Sequence, residues 1–226
     1  MAPPPRPAAT QRPITDIEEA DILLNPATGL LWTTMQYLKQ RPLPGHVARS
    51  PMRERLSALA QRYDRLIVLI SQGSIVVSHH TPSSGPTGEV EQRALQQLRL
   101  FTTSLKGSTV RVEYIAGGEI ALAQTIVREM AAHADGKWQG ELAEQESLAE
   151  LELRHAGLNA YAALVVLAEL NCGERDCKTM SDEDKAEALV RFVNMSHVQR
   201  VGRFEGLLGG RRALDRIEGE LRRVRG

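Results

Sequence analysis

The chain has 226 residues, of which 42% are apolar and only 4% aromatic, so it can bury a sizeable core built from aliphatic side chains. Its 28 basic and 28 acidic residues leave no formal net charge, which excludes a uniformly basic nucleic-acid-binding protein. The segment from Ala188 to the end is nevertheless locally basic, with nine Arg against four acids.

Neither a membrane span nor a signal peptide is predicted. No run of residues approaches the roughly 20 apolar positions that a spanning helix needs, and the first residues lack the apolar core of a secretory signal. We therefore expect an intracellular protein without membrane contact. Residues 1–14 are rich in Pro and predict an extended tail, of the kind that links domains in a longer protein.

Residues 20–40 predict a β-hairpin followed by a short helix. Two apolar runs flank the sequence NPATG at residues 25–29, whose Asn, Pro and Gly favour a tight turn. After the break RPLPG, apolar residues spaced three or four apart predict a helix over residues 49–64. Ser50 is its expected cap and Pro51 its first helical residue.

The next segments alternate strand and helix. The run at 65–70 is apolar throughout, which is typical of a parallel strand covered on both faces. A helix over 89–105, a strand over 108–115 and a helix over 119–134 follow. This alternation predicts an α/β domain. Five residues are expected on the inward face of the last helix: Ile120, Ala123, Ile126, Val127 and Met130.

No metal or cofactor site is predicted. His79 and His80 are adjacent in a Ser-, Gly- and Pro-rich stretch over residues 71–88, and an isolated pair cannot complete a coordination shell. Cys172 and Cys177 have no second Cys or His pair at ligand spacing, so we expect free thiols in a surface loop.

Beyond a polar linker at 136–147, the chain is predicted to be helical throughout. Two units each place a Gly-containing turn between helices. Glycine lets such a turn approach a phosphate, and the helix that follows presents free backbone N–H groups. Alternatively these are ordinary turns between helices. The candidate DNA-binding residues are Gly157 and Asn159 in the first turn and Gly209, Gly210, Arg211 and Arg212 in the second.

The hairpin resembles the active-site hairpin of the XPF/Mus nuclease family, whose motif is Gly-Asp, nine residues, Glu-Arg-Lys, three residues, Asp. Only the first Asp is matched, by Asp21. The remaining family positions fall on Leu31, Trp32, Thr33 and Tyr37, which supply no hard oxygen ligands of the kind that a catalytic divalent metal needs. The resemblance therefore implies a degenerate nuclease domain over 15–135 and no nuclease activity.

The two helical units over 148–226 are similar to the tandem helix-hairpin-helix domain that follows the nuclease domain in this family. The expected fold class is thus an α/β XPF nuclease-like domain followed by an all-α tandem helix-hairpin-helix domain. Among inactive relatives, the hairpin and the stretches SPMRERL and RYDRLIVLIS look most like the fungal meiotic Zip family, called the shortage-in-crossovers protein in plants.

This resemblance implies a nuclear, chromosomal protein that forms an obligate heterodimer with a small XPF-partner-like protein. The pair would bind branched DNA, such as Holliday junctions or D-loops, during meiotic crossover formation. The expected interface residues are Phe192, Phe204, Leu207 and Leu208, unless these side chains fill the domain's own core. Two other functions remain open, a protein scaffold without DNA contact and an active structure-specific endonuclease subunit.

Overall fold

The structure, a computed structural model, describes residues 19–40, 50–72, 88–133, 146–171 and 180–225. The Pro-rich tail at 1–14, the His79-His80 pair, most of the 136–147 linker, and Cys172 and Cys177 lie outside these residues. No described helix is long and apolar enough to cross a membrane.

The first half of the chain forms a mixed sheet with helices on both faces. In the described residues its strands lie in the order β1 (Ile22–Asn25), β2 (Thr28–Thr34), β3 (Arg65–Ser71) and β4 (Thr109–Ile115). β1 runs antiparallel to β2, whereas β2, β3 and β4 are parallel. The helices of this half are α1 (Met35–Leu38), α2 (Pro51–Leu59), α3 (Glu89–Ser104) and α4 (Gly118–His133).

The hairpin between β1 and β2 is tighter than the sequence predicts. Asn25 pairs directly with Thr28, so that only Pro26 and Ala27 lie between the strands. The side-chain Oδ1 of Asn25 accepts a hydrogen bond from the Ala27 N–H at 3.0 Å, which closes the turn from within, as Asn often does.

β3 confirms the prediction of a parallel strand covered on both faces. Leu66, Val68 and Ile70 pack in the cluster formed with α1, α2 and α3. Ile67 and Leu69 point to the other face, where they pack with Leu122 of α4. This central strand is buried from Leu66 to Ser71, as its continuous apolar sequence requires.

The inward face of α4 differs from the prediction. Leu122, Thr125 and Glu129 are buried, and Ile126 packs against the sheet. Glu129 can face inward because Arg111 of β4 lies 2.6 Å from its Oε2 atom. Ile120, Ala123, Val127 and Met130, which were expected inside, are exposed instead. Helix α4 is apolar on two faces, so periodicity alone cannot tell which of them packs on the sheet.

The second half is all-helical. Its helices are α5 (Leu148–His155), α6 (Ala160–Asn171), α7 (Asp182–Asn194), α8 (His197–Phe204) and α9 (Arg212–Arg225). Ser147, Ser181 and Ser196 each cap a helix by accepting a hydrogen bond from the backbone N–H three residues on.

The core of this half contains most of the expected interface. Phe192 and Phe204 are fully buried and meet edge to face, with ring centroids 5.4 Å apart, and Leu208 is buried beside them. Leu207 is partly buried against the same cluster. The structure therefore corrects the expectation that these side chains are exposed, because a small helical domain needs its few aromatic residues to fill its own core.

A buried arginine completes this core. Arg200 is 1% exposed, and its Nη1 atom donates to the carbonyl oxygens of Phe192 at 3.2 Å and Met195 at 2.7 Å. Its Nη2 atom pairs with Glu218 of α9. The guanidinium thus donates to carbonyl groups at the end of α7 and joins α7, α8 and α9.

Candidate functional site

The parallel strands define two edges of the sheet. We call the edge where β2, β3 and β4 begin the amino edge, and the edge where they end the carboxyl edge. Ligands of open α/β sheets commonly bind beyond the carboxyl ends of the strands. In this chain, Asp21 lies towards the carboxyl edge, whereas the helical domain packs against the amino edge.

Asp21 has both carboxylate oxygens engaged by the protein. Oδ1 accepts a hydrogen bond from Nη2 of Arg55 at 2.5 Å, and Oδ2 accepts one from the backbone N–H of Trp32 at 2.7 Å. Arg55 also donates to the carbonyl oxygen of Glu19. The carboxylate therefore ties the segment before β1 to β2 and α2. No group of three or more His, Cys, Asp or Glu residues that could hold a metal occurs among the described residues.

The other positions at which the sequence was compared with the nuclease motif are occupied by side chains with structural contacts. Leu31 is fully buried and Thr33 is buried, both within β2. Trp32 is 49% exposed, and its Nε1 donates to Ser71 Oγ at 3.2 Å. The backbone N–H of Tyr37 is capped by Thr34. The hairpin places the Trp32 backbone against Asp21, and none of these four side chains is a carboxylate.

The turn between α5 and α6, which is the first of the two predicted DNA-binding turns, contacts the α/β domain. Asn159 is 1% exposed, and its Nδ2 donates to the carbonyl oxygen of Pro26 in the β1–β2 turn at 2.7 Å. Its Oδ1 caps α6 by accepting from the Ala162 N–H at 2.8 Å. Gly157 has φ of +103° and lies beside Arg216 of α9. Asn159 was expected to contact DNA, but the structure buries it between the two domains.

The turn between α8 and α9, which is the second predicted DNA-binding turn, also packs on the amino edge of the sheet. A methyl group added at Gly209 would lie 3.1 Å from the Cβ of Ala27, and one added at Gly210 would lie 3.1 Å from Oδ2 of Asp64. Both glycines have positive φ, +71° and +158°, which favours residues without a side chain. The carboxylate of Asp64 thus lies at the start of α9, where the helix dipole favours a negative charge.

Arg211 and Arg212 remain exposed beside this contact. The Nε atom of Arg211 pairs with Asp215 at 3.3 Å, and its side chain is 57% exposed. Arg212 donates from Nη1 to the carbonyl oxygen of Gly107, in the turn before β4. Of the six predicted DNA-binding residues, these two keep charged side chains at the surface.

A network of charges behind the turns fixes the two domains together. Oε1 of Glu19 lies 3.1 Å from Nη2 of Arg154 in α5, and Oε2 accepts from the Tyr63 hydroxyl at 2.5 Å. Arg154 also pairs with Glu146, and Arg62 donates to the carbonyl oxygen of Leu158 at 3.2 Å. Burial and the neighbouring Glu19 carboxylate raise the pKa of Tyr63 well above its usual range.

Gly29 makes this network possible. A methyl group there would lie 2.7 Å from the Cβ of Ala20 and 2.9 Å from the Tyr63 ring. Only glycine lets these two residues pack directly over β2, and this close approach places Glu19 within reach of Tyr63.

Arg216 forms a second ionic contact across the domains. Its Nη1 lies 3.5 Å from Oδ1 of Asp64, and its Nη2 donates to the carbonyl oxygen of Arg62 at 2.7 Å. Its pKa is lowered, first by burial and to a lesser extent by the positive charges of Arg212 and Arg62, although Asp64 opposes the change.

Sequence reasoning missed the junction residues Glu19, Asp64, Arg154 and Arg216. The chain has 56 charged residues, and no local spacing marks which of them pair over more than 100 positions. Tyr63 falls within the helix predicted over residues 49–64, and its spacing gave no signal of the role of its hydroxyl group.

The outer face of α4 is a further exposed feature. Ile120, Val127 and Met130 are 74%, 63% and 48% exposed, and Ala123 and Ala131 lie on the same side of the helix. Residues at these spacings form one continuous apolar stripe. Contiguous exposed apolar surface of this kind is typical of protein–protein contact sites.

The fold and site define a mixed α/β domain joined through an ionic and hydrogen-bonded junction to an all-α domain. A family model described as a domain of unknown function, DUF7102, matches residues 5–141, which is more than half of the chain, so the chain belongs to this family. A second model, described as a SAM-like domain, matches residues 143–221. No curated protein matches the chain.

Proposed function

We propose that this chain is a noncatalytic XPF-like subunit that binds branched DNA in a heterodimer with a small XPF-partner-like protein. In this proposal the α/β domain is a degenerate nuclease domain, and the SAM-like region is a tandem helix-hairpin-helix domain. The process would be meiotic crossover formation in the nucleus, at Holliday junctions or D-loops.

The state of Asp21 carries the noncatalytic part of the proposal. Its two oxygens are held by Arg55 and the Trp32 N–H, so binding a metal there would first require breaking a charge-assisted hydrogen bond. Leu31 and Tyr37 stand where the nuclease motif has its further acids. A divalent ion at this place would have one carboxylate, whereas catalytic sites of this kind use several hard oxygen ligands.

The exposed Arg211 and Arg212 support DNA contact, because Lys and Arg side chains that neutralise phosphates supply most of the sequence-independent affinity. The apolar stripe on α4 supports a protein partner. Since Phe192, Phe204 and Leu208 are buried, this stripe replaces them as the partner-binding surface in the proposal.

A protein scaffold without direct DNA contact is the second candidate. It is favoured by the position of the two helical turns, because Asn159, Gly209 and Gly210 all contact the α/β domain of the same chain. In that case the partner alone would hold the DNA.

The test measures binding of the purified chain, alone and with a small XPF-partner-like protein, to a fluorescent four-way junction and to a linear duplex of equal length. The expected result is a one-to-one complex that binds the junction more tightly and leaves it uncut in magnesium. The R211E/R212E double variant should lose about tenfold in affinity with a shallower salt dependence. Equal affinity of the double variant in an intact complex would favour the scaffold, and cleavage would refute the noncatalytic role.

A further inference from the structure

The contact between the domains brings basic residues of both into one surface. Arg212 donates from its Nη1 atom to the carbonyl oxygen of Gly107, and Lys106 precedes that glycine in the turn before β4. The turn is fixed by Gly107 itself, whose φ of +93° favours glycine. Lys106, Arg211 and Arg212 are all exposed, so three cations from distant parts of the sequence line one side of the junction.

Arg65 lies at the same edge. It begins β3, its side chain is exposed, and its backbone N–H donates to the Ala27 carbonyl oxygen at 3.0 Å. Ala27 also contacts Gly209, in the turn between α8 and α9. The exposed cations therefore continue from the helical domain across the start of the central strand.

Carboxylates near this surface leave two of its four cations, Lys106 and Arg65, without an ion pair among the described residues. Asp64 is shared between Arg216 and the start of α9, and Asp215 pairs with Arg211 and lies 3.2 Å from Nε2 of His197. Lys106 and Arg65 have no carboxylate within ion-pair distance among the described residues. A bound polyanion lowers the electrostatic free energy of such unpaired surface cations.

We propose that Lys106 and Arg65 of the α/β domain join Arg211 and Arg212 in a composite surface that binds the phosphate backbone of DNA. Asp64 already lies against Gly210, so side chains, and not the backbone N–H groups of the turn, make the phosphate contacts. Binding of this kind positions the duplex without reading its sequence. This inference rests on the proposed DNA-binding function and adds the α/β domain to the site.

The experiment uses the full chain with Lys106→Glu, and with Arg93→Glu as the matched control. Arg93 is also a surface cation, and its side chain is 74% exposed. It lies near the start of α3, the helix that follows the carboxyl end of β3 in the chain. Fluorescence anisotropy with a labelled four-way junction is recorded at several salt concentrations. K106E should weaken binding by about three- to tenfold and reduce the slope of log K against log salt by about 1, whereas R93E should change neither.

The outcomes separate the inference from the function on which it rests. If the unmodified chain binds the junction and K106E behaves like R93E, the composite surface is refuted while DNA binding stands. If the unmodified chain binds the junction neither alone nor with the small XPF-partner-like protein, both fail. K106Q should lie between the unmodified chain and K106E. A labelled polyglutamate peptide that loses affinity with K106E, while DNA does not, would assign the surface to an acidic protein partner and refute the proposal.

Discussion

Replacing Asn159 by Ala tests whether the turn between α5 and α6 holds the two domains together. The side chain is almost fully buried and makes two hydrogen bonds, one to the Pro26 carbonyl oxygen and one from the Ala162 N–H. Losing a helix cap costs about 1 kcal/mol, and leaving a buried carbonyl group without a donor costs about 1–3 kcal/mol. We therefore expect Asn159→Ala to lower the free energy of unfolding by about 2–4 kcal/mol.

Asn159→Ser is the matched control, because serine also caps helices but is too short to reach Pro26. It should retain the cap and lose only the contact between the domains, for a loss of about 1–3 kcal/mol. Urea denaturation followed by circular dichroism measures both variants at constant protein concentration. A loss below about 0.5 kcal/mol for the Ala variant, or equal losses for Ala and Ser, would refute this account of the junction.

Three further outcomes are expected. Neither the chain nor Asp21→Ala should cut branched DNA in magnesium or manganese, and cleavage that depends on Asp21 would contradict the degenerate site. Val127→Asp on the α4 stripe should abolish co-purification with the proposed partner and leave the melting temperature unchanged, whereas Val90→Asp, at a 67% exposed position of α3, should change neither quantity. The raised pKa of Tyr63 means that unfolding releases a proton above about pH 10, so stability is complete below that pH and falls as the pH rises. Tyr63→Phe should make that fall shallower, and identical pH profiles for the two proteins would exclude this role.

The order of elements could be predicted from the sequence because each element carries a local signal. β3 was recognisable from its unbroken apolar run, and the start of α2 was recognisable from Ser50 and Pro51. The inward face of α4 could not be predicted, since Leu122 and Val127 are equally apolar and only tertiary packing distinguishes them. Glu129 would have been placed outside by any rule that keeps charges in water, yet its pairing with Arg111 stabilises it inside.

The candidate site was predictable only where it carries a local sequence signal. The positions of Arg211 and Arg212 at an exposed turn follow from the Gly-Gly-Arg-Arg sequence. What the turn contacts does not follow, because Asp64 and Ala27 are far away in the chain and carry no motif. The glycines favour close approach of some negative or polar group, and the sequence does not distinguish a phosphate from a carboxylate of the chain itself.

The burial of Asn159 affects how the chain can be divided for experiments. A fragment that starts at residue 143, where the SAM-like match begins, would contain Asn159, Gly209 and Gly210 without the Pro26, Ala27 and Asp64 that now cover them. Arg216 in such a fragment would also lose its carboxylate partner and gain free positive charge. DNA binding measured on the isolated helical half would therefore include surfaces that the intact chain keeps closed and would lack Lys106 and Arg65, so it would not report the affinity of the whole protein.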